Sequence, residues 1–172
     1  AGQDGLGDGL PENQPGCGSK SVDPGVPEIL AVRFGDTQLE ARQVEVGAMD
    51  DEIEACFQRG WSDGLPVVPP TPVRVLRMLQ GTTRDPQETI GEIPPNLSHC
   101  TVEKVAINAV MAGCKPEYLP VVLAAVEAVL DPKFAMHGVL CTTHFVGPIV
   151  VVNGPITKRI GMNSGVNALG LV

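Results

Sequence analysis

Residues 101 to 130 read TVEKVAINAVMAGCKPEYLPVVLAAVEAVL, and no other stretch restricts the fold as much. Val102, Val105, Ala106, Ala109 and Val110 recur at helical spacing, which predicts one apolar face on a helix over 102–112. Thr101 is placed to cap that helix and Gly113 to stop it. Pro116 then opens a second helix through Leu130, closed by Asp131-Pro132. Two helices joined this closely make an αα-hairpin with small apolar contact faces. Its core has to be aliphatic, because 43% of the 172 residues are hydrophobic but only 3% are aromatic.

The flanking segments predict a mixed chain. Residues 1–27 are dense in Gly, Pro, Asp and Ser and bury too little apolar surface to offset ordering entropy, so a flexible arm containing Cys17 is expected. Residues 29–46 carry two partly alternating runs around Gly35-Asp36, a β-hairpin signal. A short helix is expected over 50–59 and another from Pro72 to Gly81, capped by Thr71, with Val75, Leu76 and Leu79 inside. Residues 82–98, rich in Pro, Asn and Thr, read as loop. The apolar runs 137–145 and 148–152 read as buried strands. The expected architecture is an α/β domain over 28–172 (or a mixed α+β one), with the αα-hairpin packed on a small aliphatic sheet. The apolar end, Ala168 to Val172, points to a docked tail or to one piece of a longer polypeptide.

Charge and cysteine usage narrow the partners. Twenty acidic side chains against 12 basic ones give a formal charge of −8, which repels phosphate backbones and anionic lipid and so disfavours nucleic acid and membrane surfaces. The longest apolar stretch, 119–130, is broken by Pro120 and Glu127 and is too short to span a bilayer. No basic region followed by an apolar run marks a secretory signal. Five scattered cysteines with no C-x-x-C fit a reducing cytoplasm.

Four segments carry chemistry-bearing residues. His137, Cys141 and His144 could supply three ligands to a transition metal, provided a bulge brings His144 to the face shared by the other two. The plainer reading makes Cys141 a core thiol and each His a polar strand end. The run WSDGLPVVPPTP from Trp61 to Pro72 could present Ser62 and Asp63 from a stiff loop, although turn chemistry explains most of it. Asn153-Gly154-Pro155 and Asn163-Ser164-Gly165 with Asn167 form Gly/Asn turns after a strand, a setting for substrate carboxylates or for ordinary tight turns. Cys114 lies beside Lys115 and just before the second helix of the hairpin, which favours a thiolate there; a buried structural Cys is the alternative. His99-Cys100 precedes the first helix and could approach it. Walker, dinucleotide-binding, nucleophile-elbow and zincin motifs are absent.

Three of these segments together resemble a bacterial family of uncharacterised proteins. They are GWSDGLPVVPPTP over 60–72, VEKVAINAVMAGCKPEYLP over 102–120, and VNGP over 152–155 with NSG over 163–165. The resemblance spans about residues 50–168. Members are often encoded beside a small protein with a Sec/Cys-Gly-Ser-Cys motif, similar to the selenol subunits of glycine-reductase-type systems. The family pattern continues past Gly170 and has no thiol at position 141. The resemblance implies thiol- or selenol-dependent redox or lyase chemistry on a small molecule, with a partner subunit. It raises the weight on Trp61 to Asp63, His137, His144 and Asn153 as pocket residues.

The leading expectation is therefore an enzyme component whose pocket forms where the WSDGLP loop meets the ends of the C-terminal strands. His137 or His144 would move a proton or bind metal, Asp63 would orient it, Trp61, Ser62, Asn153, Asn163 and Ser164 would hold substrate, and Cys114 would be the reserve nucleophile. Two other classes remain open. One is a non-catalytic partner subunit of a multi-chain complex or homo-oligomer, the other a plain metal-binding protein.

Overall fold

In the computed structural model the described residues are 39–44, 46–47, 51–166 and 168. The expected arm over 1–27 and most of the expected hairpin over 29–46 lie outside them. The chain has a mixed α/β fold with a small antiparallel sheet.

Helix α1, Glu52–Gln58, starts at Asp51, whose Oδ1 accepts from the backbone N–H of Ile53 at 2.7 Å and of Glu54 at 3.2 Å. Helix α2, Pro72–Leu79, begins on Pro72 and buries Val75, Leu76 and Met78. The sheet follows after a turn-and-loop segment over 80–88: β1, Thr89–Ile93, pairs antiparallel with β2, Ser98–Thr101, in the register Thr89 to Thr101 and Ile93 to Ser98, with a bulge between Thr89 and Gly91. Helix α3, Val102–Met111, continues straight from β2, and α4, Leu119–Leu130, returns after a 3-10 turn over Pro116–Tyr118.

The expected αα-hairpin is present: α3 packs between α2 and α4, and α4 lies against β1. Its core is aliphatic and sulfur-containing, built from Val75, Met78, Cys100, Val102, Val105, Ala106, Ala109, Val110, Leu119 and Leu123. Every apolar position read from the helical spacing of α3 is buried. Two glycines mark close approach. A Cβ on Gly81 would collide with the carbonyl oxygen of Pro116, and one on Gly91 would stand 3.0 Å from Leu130.

The sheet is not where the sequence placed it. Residues 82–98, expected as loop, contain β1 and the start of β2, joined across Pro94 to Leu97 with a cis Pro94–Pro95 bond. Residues 137–145, expected as a buried strand, instead form helix α5, Met136–Cys141, followed by an irregular segment. Ala135 takes a left-handed conformation, and the N–H of Val139 donates to its carbonyl at 3.2 Å, closing a helical turn. Residues 148–152 form no strand either; among the described residues β1 and β2 pair only with each other. The apolar segment therefore lies exposed, with Phe145 at 103%, Ile149 at 88% and Val151 at 76% of full exposure. A last short helix, α6, spans Pro155–Arg159. No helix among the described residues is long and apolar enough to cross a membrane.

Candidate functional site

The end of α1 explains how Trp61 is held. Gly60 has φ of 69°, and the N–H groups of Gly60 and Trp61 donate to Phe57 at 2.9 Å and Cys56 at 3.0 Å, which folds the chain back over its own helix. The turn brings Trp61 beside Arg59, whose guanidinium carbon lies 5.9 Å from the indole ring centre. Arg59 is tied down through one Nη, which donates to the Ala55 carbonyl at 3.1 Å. Arg42, Gln43 and Val44 close the other side, making an open cleft of about 490 Å³. None of its lining residues comes from 137–153, so this cleft is not the expected meeting of the WSDGLP loop with the C-terminal segments.

Ser62 and Asp63 shape the loop itself. Ser62 Oγ donates to the Leu65 carbonyl at 2.6 Å and accepts from the Gly64 N–H, while Asp63 Oδ1 accepts from the Leu65 N–H at 3.2 Å. Asn163 is used in the same way: its Oδ1 accepts from the Gly165 N–H at 3.0 Å and its Nδ2 donates to the Val166 carbonyl. Ser164 and Asn153 are exposed in neighbouring irregular segments, and Asn167 lies outside the described residues.

The metal candidates do not assemble. His137 and Cys141 are four apart on α5 and so share a helical face, whereas His144 lies beyond the helix end with its N–H on Thr142 Oγ1. Among the described residues no group of three or more His, Cys, Asp or Glu side chains is arranged to hold a metal ion. The strand-and-bulge geometry proposed for the trio fails because residues 137–141 are helical and the rest has no strand partner. All three side chains are exposed.

Cys114 lies where the sequence placed it, just past Gly113 and two residues before Pro116, which opens the 3-10 turn leading into α4. Its N–H donates to the Ala109 carbonyl at 2.9 Å, sealing the C-terminal end of α3 after Gly113, and α4 begins only at Leu119. It is half-buried against the core. Cys56 and Cys100 are buried, and desolvation pushes both thiols up from the ordinary range, more than the nearby Arg59 and Lys104 lower them. His99 is exposed and faces Glu92 across the sheet, with Nδ1 3.8 Å from the carboxylate.

Sequence reasoning passed over two groups. One is Arg42 with Arg59, whose only signal was a basic residue two positions before the lone Trp. The other is Glu103, which is 2% exposed. Its carboxylate accepts from the N–H groups of Glu40 and Ala41, each at 3.0 Å, and from Gln87 Nε2 at 2.8 Å. These bonds satisfy a buried charge and strap residues 39–41 to α3. Compared with protein-family models, curated proteins and solved structures, the chain gives no match.

Proposed function

We propose that this chain is a subunit of a small-molecule enzyme and that it works only within an assembly. The observation that carries this reading is the exposed apolar run from Phe145 to Val151, flanked by His144 and Asn153. A contiguous exposed apolar segment is costly in water and is typical of a surface that another chain covers. Covering it would also enclose His144, Cys141 and Asn153, turning an open row of polar groups into a desolvated site. The partner suggested by the family resemblance is a small thiol- or selenol-bearing protein, with His144 or His137 handling the proton released when a thiol or selenol reacts.

The test uses the full chain with a photo-cross-linking residue at position 145 or 149, in its assembly with a Sec/Cys-Gly-Ser-Cys protein. Cross-links from both positions to that protein, together with turnover lost in His144→Ala while the assembly stays intact, support the reading. A monomeric chain whose 144–152 amides exchange freely in the presence of that protein sinks it.

A further inference from the structure

Independently of that interface, we infer that the cleft formed by Arg42, Arg59 and Trp61 is a binding site for a small aromatic carboxylate. The argument begins with charge. In a chain with 20 acidic and 12 basic side chains, a surface arginine has carboxylates in excess to choose from. Arg84 has taken two, Glu88 and Glu127. Among the described residues neither Arg42 nor Arg59 is paired with a carboxylate, and yet both line the same cleft. Two arginines that line one cleft without a paired carboxylate leave guanidinium N–H donors there for a bound anion to satisfy.

The neighbours define the shape of that anion. Trp61 lines the cleft and is 43% exposed even with the Arg59 guanidinium over its ring, which leaves indole surface against which an aromatic ring can pack. Arg59 is held by the Ala55 carbonyl and by the indole itself, which fixes its position before a ligand arrives. A guanidinium presents five N–H donors in a plane, and the bond to Ala55 uses one of them. The rest, with those of Arg42 and the Gln43 amide, match a planar carboxylate rather than a lone spherical ion. A volume of about 490 Å³ suits a one- or two-ring molecule.

Trp61 is the only tryptophan in the chain, so its fluorescence reports on this cleft alone. The experiment titrates the full-length chain with benzoate, and in parallel with acetate and inorganic phosphate. Saturable quenching by benzoate, at least about tenfold tighter than by acetate or phosphate, is expected. Arg42→Ala and Arg59→Lys should each weaken benzoate binding about tenfold, the factor for losing a charge-assisted bond. Circular dichroism of each variant verifies its fold, and Arg42→Ala, outside any helix or strand, keeps the test independent of α1. Equal affinity for benzoate and acetate, tighter binding of phosphate, linear quenching without saturation, or unchanged affinity in Arg42→Ala would each overturn the assignment.

Discussion

Gly81 shows how a single atom decides packing here. A methyl group at this position would collide with the Pro116 carbonyl oxygen, and that oxygen belongs to backbone that also starts the turn into α4. Gly81→Ala is therefore expected to destabilise the chain by about 2 kcal/mol, read as a lower urea midpoint at unchanged slope. The thiols offer a second test. Cys141 is exposed, whereas Cys56 and Cys100 are buried with thiols pushed up by desolvation. Iodoacetamide should modify Cys141 in the folded chain and reach Cys56 and Cys100 only on unfolding. The same shift has a sign for stability. Folding favours the neutral thiol, so its contribution is complete below the ordinary thiol range and is lost as pH rises through that range toward the folded value. The urea midpoint should fall between neutral and alkaline pH, and replacing both buried cysteines with alanine should shrink that fall.

At the scale of elements, the strap over 39–41 hangs on one side chain. Glu103→Ala removes the acceptor of the Glu40 and Ala41 backbone N–H groups and the bond from Gln87 Nε2, and a loss of roughly 2 kcal/mol is expected in chemical unfolding. Glu103→Gln should lose less, because its carbonyl oxygen still accepts. This contact was invisible in the sequence because its partners lie 62 and 63 positions away. Helices α1 to α4 were legible because their signals are local: Thr101 accepts the Lys104 N–H, Gly113 takes φ of 75°, and the small residues of α3 all face inward. The sheet was not legible. β1 is a five-residue strand with Gly91 at its centre, kept small by Leu130 of a helix far along the chain, so no alternation betrays it. Residues 148–152 read as a strand from their β-branched side chains, but a strand also needs a neighbour, and that depends on the rest of the fold. For the candidate site, the sequence pointed to Trp61 but not to the arginines beside it, since Arg42 reaches the cleft through tertiary packing.

For the molecule as a whole, the exposed run containing Phe145, Ile149 and Val151 is the feature expected to set solution behaviour. The isolated chain should bind a hydrophobic dye and self-associate with rising concentration, and Phe145→Asp with Ile149→Asp should suppress both without lowering the urea midpoint. Light scattering across a concentration series measures the first effect. The Glu103 strap has a consequence of another kind, in time. The α2, α3 and α4 contacts join near neighbours in the chain, but residues 40 and 41 are synthesised more than sixty positions ahead of Glu103. At ordinary translation speeds of about 5–20 residues per second, these residues wait roughly 3–12 s for their anchor. They are synthesised early and fold late, and through that interval a chaperone or a partner has its chance at them.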